Sequence, residues 1–231
     1  MKEVKGKMAL ITGGTRGIGF ATAIAFLKEG ATVAVCGEKK ATVAMAKQKL
    51  GKRGEALVLK ADVRKREDIK KFINAAVRKF GRIDILVNNA GVLHVGEFRN
   101  EKSKHIDHQL DVNLRGVLNV TRAVLPIMLR QKNCTIINVA SGLGKSGIAN
   151  FATYCATKFA VVGFTESLAQ ELLRKGIRVF GICPGQVATD MQIQAVGKKV
   201  GMPPEKIANN IVTLAGPNPP IQPGDCLKVY R

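Results

Sequence analysis

Thr12-Gly13-Gly14-Thr15-Arg16-Gly17-Ile18-Gly19 decides how this chain is read. Ahead of it stands Met8-Ala9-Leu10-Ile11-Thr12, an apolar run short enough for a buried strand. Behind it, Gly17 to Glu29 carries apolar residues at helical spacing and stops at Gly30. A glycine loop between a strand and a helix has a physical use. Glycine tolerates positive φ and lets a ligand approach the main chain. The helix then opens with unpaired N–H groups and a partial positive charge, which suits a pyrophosphate. The spacing is G-x-x-x-G-x-G, not the commoner G-x-G-x-x-G. Taken alone, the loop also fits a tight turn with no ligand.

Working outward, the same rhythm repeats. Thr32 to Cys36, Ala56 to Leu59, Ile83 to Asn88, Thr135 to Val139, Arg178 to Cys183 and Leu227 to Tyr230 read as further strands. Ala41 to Leu50, Lys65 to Phe80, Asn113 to Leu129, Thr153 to Arg174 and Glu205 to Leu214 read as helices, two of them closed by Gly81 and Gly176. Strands separated by helices require crossover connections. The spacing predicts an α/β fold: one doubly wound domain over 1–231 with a mainly parallel seven-stranded sheet and helices on both faces. Its ligand should lie beyond the carboxyl ends of the strands.

Composition narrows the function classes. The chain has 231 residues, 46% of them apolar, which fits a folded protein with a real core. No apolar run approaches the roughly 20 residues of a membrane span. The four-residue run before the glycines is too short for a signal-peptide core, so a cytoplasmic protein is expected. Five scattered cysteines form no C-x-x-C pair and read as reduced, mostly buried thiols. His105 and His108 can share a helix face, but nothing nearby completes a set of ligands, and no metal is expected. The 37 Lys+Arg against 17 Asp+Glu give +20, which suggests an anionic partner. Basic and acidic residues are interspersed, as in Arg64-Lys65-Arg66-Glu67-Asp68. Aromatics are 5% and Trp is absent, so no base-stacking surface is evident and no dedicated nucleic-acid partner is expected.

The chemistry-bearing residues fall at strand ends. Asp62-Val63 follows the third strand, Asn88-Asn89-Ala90-Gly91 ends the fourth, and Ser141 follows the fifth. Tyr154 and Lys158, at i and i+4, share one helix face 13 residues after Ser141. Each has a plain alternative. Tyr154 and Lys158 can be an ordinary helix pair, Ser141 a turn residue and Asn113 a helix cap. Asp62 can cap the next helix, and Asn89 can satisfy main-chain groups.

The order and spacing of the glycine loop, N-N-A-G, Asn113, Ser141 and Y-x-x-x-K resemble the short-chain dehydrogenase/reductase family across essentially the whole chain. Within it the chain is most similar to the 3-oxoacyl-[acyl-carrier-protein] reductases and related carbonyl reductases. The resemblance implies hydride transfer between a nicotinamide cofactor and a carbonyl or secondary alcohol. It implies Asn113, Ser141, Tyr154 and Lys158 as the catalytic set. It also implies cofactor contacts from Gly13, Thr15, Arg16, Gly17, Ile18, Gly19, Glu38, Lys39, Asp62, Val63, Asn89, Ala90, Gly91, Tyr154, Lys158, Pro184, Gly185, Val187 and Thr189. On this reading Lys158 lowers the phenol pKa of Tyr154, Ser141 bonds the substrate oxygen, and Asn113 holds a water that links Lys158 to solvent. A cofactor-binding protein without turnover is the alternative.

Two segments depart from the family pattern. A lid at about 191–204 is short, and Leu227-Lys228-Val229-Tyr230-Arg231 lacks the usual glycine pair. The expected substrate is a small or carrier-linked carbonyl compound. Lys132 and Lys175 fall where the resembled reductases meet an acidic carrier. A homodimer or homotetramer is expected. Gly37 stands where NAD-preferring relatives have aspartate. Arg16, Lys39 and Lys40 against Glu38 leave a local +2, so NADP(H) is expected over NAD(H).

Overall fold

The computed structural model describes residues 4–230. In chain order the elements are β1 (Met8–Ile11), α1 (Gly17–Lys28), β2 (Thr32–Gly37), α2 (Lys40–Gly51), β3 (Ala56–Lys60), α3 (Arg66–Phe80) and β4 (Ile85–Asn88). Then come α4 (Ser103–Leu110), α5 (Gly116–Gln131), β5 (Cys134–Val139), α6 (Ala152–Leu172), β6 (Ile177–Pro184), α7 (Asp190–Val196), α8 (Pro204–Ala215) and β7 (Cys226–Val229). All strand pairs are parallel, in the order β3-β2-β1-β4-β5-β6-β7. This is the doubly wound sheet expected from the alternation of segments.

The strands are near-continuous runs of apolar residues because both faces of the sheet are covered. β1, β4 and β5 are buried along their whole length. One apolar layer joins the sheet to α1, α2 and α8 through Phe26, Leu50, Ile207 and Ile211. The other joins it to α3, α5 and α6 through Phe72, Ile73, Val124 and Leu168. The chain winds outward from β1 to β3, then restarts at β4 on the other side of β1. That reversal opens a crevice at the carboxyl ends of β1 and β4, where an open α/β sheet binds its ligand.

Three local features differ from the sequence reading. β4 is regular from Ile85, not Ile83: at Asp84 the carboxylate takes the Met8 N–H at 2.8 Å and Arg82 at 2.7 Å, while the Asp84 main chain still bonds Met8 and Thr135. The helix expected from Asn113 begins earlier. α4 runs into a π-helical turn, Asp111–Arg115, which leads into α5. α4 itself is held from outside. The fully buried Gln109 donates to Glu101 at 2.8 Å and accepts from His94 N–H, while Thr153 donates to the other Glu101 oxygen at 2.6 Å. The chain's three histidines meet here: His94 stacks on His105 and lies 3.2 Å from His108. All five cysteines are unpaired, and four are buried.

Candidate active site

A cleft of about 860 Å³ runs along the carboxyl ends of the strands. Its lining follows the strand order, from Asp62 after β3 through Glu38, Gly13, Asn89 and Ser141 to Pro184 at the end of β6. At about 4.8 Å per strand, the stretch from β3 to β5 spans roughly 19 Å. That is the span of an extended dinucleotide.

The middle of the cleft offers free main-chain donors of the kind that could hold a phosphate. No side chain caps α1, and its first residues, Gly17 and Ile18, face the cleft. Their N–H groups are the unpaired donors that an anion satisfies. The glycine loop is fastened to the loop after β4. Thr12 Oγ1 accepts from Asn89 N–H and Ala90 N–H, and Asn89 Nδ2 donates to the Thr12 and Gly13 carbonyl oxygens, both at 3.0 Å. A Cβ on Gly13 would stand 2.8 Å from Ala90 Cα. Gly19, expected as a cofactor contact, does not line the cleft. It is glycine because a Cβ there would collide with the Gly13 carbonyl and the Asn89 amide.

At the β2–β3 end, Gly37 faces Thr15, whose hydroxyl occupies the space a Cβ would need and lies 3.1 Å from Thr42 Oγ1. Glu38 pairs with neither neighbouring lysine; it accepts from Arg64 at 2.9 Å. Asp62 does not cap α3. It accepts from the Arg64 main-chain N–H at 3.0 Å and from the Arg64 guanidinium. These bonds hold the Asp62 carboxyl below its usual pKa against the opposing effect of burial, which is the largest single cause acting on it. Val63 is buried against Gly116, and Arg16 reaches Asp190 at the start of α7, at 3.5 Å.

At the other end, Ser141, Tyr154 and Lys158 converge. Ser141 follows β5, and its Oγ accepts from Leu143 N–H at 3.1 Å. Tyr154 and Lys158, both buried, come from the first turns of α6. Burial pushes the Tyr154 phenol up to about 12, against a hydrogen bond from Ser141 that pulls it down. Burial also pushes the Lys158 ammonium down to about 8. Burial, Ser141 and Cys155 set the phenol here, and Lys158 is not among the groups that act on it. Lys158 Nζ donates to the Val139 carbonyl at 3.0 Å and lies beside the Tyr154 ring, not at its oxygen.

Asn113 is fully buried behind the cleft wall, not in it. Its amide bonds Val92 N–H at 2.8 Å, the Val92 carbonyl at 2.9 Å and Thr157 Oγ1 at 3.2 Å. Both amide hydrogens are thus taken, and Oδ1 keeps one acceptor position, on the side of Gly91 that also faces Lys158 Nζ.

The family model of the short chain dehydrogenases matches residues 7–199. The chain belongs to that family. A 3-oxoacyl-[acyl-carrier-protein] reductase of Thermotoga maritima is 40% identical over 191 residues, 82% of this chain and 77% of that relative. One from Synechocystis is 38% identical over 83% of this chain and 78% of the relative. Among solved structures, an actinorhodin polyketide ketoreductase with NADPH superposes with a TM-score of 0.91 at 32% identity, covering 97% of this chain and 95% of that one. A 3-ketoacyl-(acyl-carrier-protein) reductase from Brucella melitensis complexed with NADH gives 0.90 at 32% identity, covering 98% of each.

This short-chain dehydrogenase, an oxidoreductase, adds features that its sequence did not announce. Tyr230, just past β7, lies against Gly142 and Gly185 and lines the cleft beside Ser141. The segment expected as a lid starts one residue earlier, as α7, and its Val196 joins Leu93, Leu143, Ile148 and Phe151 in an apolar rim of the cleft. Lys132 and the Lys175–Gly176 turn are neighbours, but they precede β5 and β6. They sit at the amino ends of the strands, so within one chain they do not flank the cleft.

Proposed function

We propose that this chain reduces the 3-oxo group of acyl thioesters, with NADPH preferred over NADH. The observation that carries the proposal is the meeting of Ser141, Tyr154 and Lys158 at one end of a cleft whose middle is the open N-terminus of α1. The similarity to 3-oxoacyl reductases and ketoreductases supports the substrate class. The apolar rim supports an acyl chain, and the net charge of +20 supports an acidic carrier.

The bound cofactor supplies the hydride for the carbonyl carbon. The chain supplies the rest. Ser141 donates a hydrogen bond to the carbonyl oxygen. Tyr154 donates the proton that the developing alkoxide needs. A phenol pushed up to about 12 stays protonated at neutral pH, which is the form reduction requires. Lys158, charged below about pH 8, offers its remaining hydrogens to the cofactor ribose. Asn113 positions the Gly91–Val92 wall and, through Thr157, the first turn of α6. The remaining cofactor contacts are those of Gly13, Thr15, Arg16, Gly17 and Ile18 at the phosphates, Glu38, Lys39, Asp62 and Val63 at the adenosine, and Asn89, Ala90, Gly91, Pro184, Gly185, Val187 and Thr189 along the ribose and nicotinamide.

The chain works as one domain with a short lid over 190–204. Exposed Leu110, Leu118 and Phe159 on α4, α5 and α6 support a homodimer through those helices. The unpaired cysteines support a reducing, cytoplasmic setting. Among the described residues no helix is long and apolar enough to cross a membrane. The test is spectrophotometric: NADPH consumption with acetoacetyl thioesters, diketones, aldehydes and cyclic ketones. Highest kcat/KM on the thioester is expected, and turnover confined to cyclic ketones would refute the substrate class.

A further inference from the structure

Arg64, in the loop between β3 and α3, does not line the cleft, yet it holds two carboxylates that do. Its Nε and Nη2 clasp both oxygens of Asp62, at 2.9, 3.0 and 2.6 Å. The same Nη2 reaches across the strand ends to Glu38 Oε1 at 2.9 Å. Glu38 is the first residue after β2, and its side chain is half exposed at the cleft. Among the described residues its ion pair is with Arg64.

A free carboxylate at this place has two effects on a dinucleotide. It accepts hydrogen bonds from the two adenosine ribose hydroxyls, which favours NAD(H). It also repels a 2′-phosphate, which disfavours NADP(H). Both effects need the carboxylate to be aimed into the cleft and uncompensated.

We propose that Arg64 is a positioning residue that sets cofactor selectivity through Glu38. By holding Glu38 against the β3–α3 loop, the guanidinium withholds the carboxylate from the ribose hydroxyls and offsets its charge toward the 2′-phosphate. Lys39 and Lys40, with Arg16 shared with Asp190, then set the local field. This rests on the reading of the cleft as a nicotinamide dinucleotide site and gives the NADPH preference a structural origin. It also explains how a chain with glutamate one residue past the NAD-type position at Gly37 still favours NADPH.

The test is a double-mutant cycle read by calorimetric titration of NADP⁺ and NAD⁺ into the intact protein, without substrate. Arg64→Met is expected to lower the NADP⁺-to-NAD⁺ affinity ratio by about tenfold. Glu38→Gln alone is expected to move it by less than about threefold, because that carboxylate is already held. In the double variant the ratio should return to within about threefold of wild type. A ratio unmoved by Arg64→Met overturns the proposal. So does equal weakening of both cofactors, which would mean that Arg64 only shapes the Asp62 loop. So does a shift that Glu38→Gln fails to reverse. If thermal melting shows Arg64→Met unfolded, Arg64→Gln, which retains a donor for Asp62, takes its place in the cycle. A wild type that prefers NAD⁺ sinks the NADPH reading above, while the change in ratio still decides the role of Arg64.

Discussion

Lys158 places its ammonium nitrogen 3.0 Å from the Val139 carbonyl oxygen and 5.7 Å from the centre of the Tyr154 ring. One hydrogen is spent on the end of β5, and the charge is buried between a strand and a helix. The two groups are therefore displaced in opposite directions by the same dry surroundings, the amine downward and the phenol upward.

That displacement makes stability depend on pH. Unfolded, Lys158 titrates near 10.5; folded, it titrates near 8. Between those values the unfolded chain keeps the proton and the folded chain has lost it, so stability rises with pH. The penalty is fully present below about pH 8 and would shrink by roughly 2 kcal/mol by pH 10. Tyr154 acts against stability only above about pH 10, where the unfolded phenol ionises and the folded one, near 12, does not. Urea midpoints from about pH 7 to about pH 10 should show wild type gaining on Lys158→Met. Parallel curves would contradict the buried charge.

Tyr154→Phe removes the proton donor and little else. Turnover should fall by about a thousandfold, within the usual range for a lost general acid. Affinity for NADPH should stay within about threefold. A variant keeping more than a few per cent of kcat would show that another group protonates the product.

Asn113→Ala empties a fully buried position, strands both main-chain groups of Val92 and takes one of two bonds from the Thr157 hydroxyl, which keeps the Tyr154 carbonyl. The expected loss of stability is about 2–4 kcal/mol. KM should rise as the Gly91–Leu93 wall loosens. A stability change below about 1 kcal/mol would mean that water replaces the amide.

Gly37→Asp introduces the NAD-type aspartate directly onto the Thr15 hydroxyl. It should cost about 1–3 kcal/mol by overpacking and should not improve NADH binding. Adding Thr15→Gly should recover both. Thermal melts with NAD⁺ titrations check this, and an aspartate tolerated beside Thr15 would show that the loop yields.

Much of the architecture is legible because short apolar runs alternate with amphipathic segments at regular spacing. The cleft residues are legible because they stand at strand ends with glycines beside them. Other parts leave no such trace. Ser103–Leu110 shows little apolar patterning, since its helix hangs by its own Gln109 on Glu101 and, through it, Thr153, partners outside the helix. The π turn at Asp111–Arg115 demands no residue type. Arg64 reads as one more charge in a solvated basic run, because its second partner, Glu38, is 26 positions away. Tyr230 is recognisable as part of the wall only once β7 lies beside β6. Spacing also places Tyr154 and Lys158 on one face without telling that the lysine turns to a carbonyl.

The hold of Asn89 on Thr12 and Gly13, answered by Thr12 on Asn89 and Ala90, limits how this enzyme can be rebuilt. A graft of a foreign phosphate loop at 12–19 would bring its own contour but not its matching latch, 77 positions downstream. Chimeras that exchange only the first segment should misplace the donors at the start of α1, whereas those that exchange both segments together should transfer binding behaviour intact. For recombination, the two loops are a single exchangeable part in two pieces.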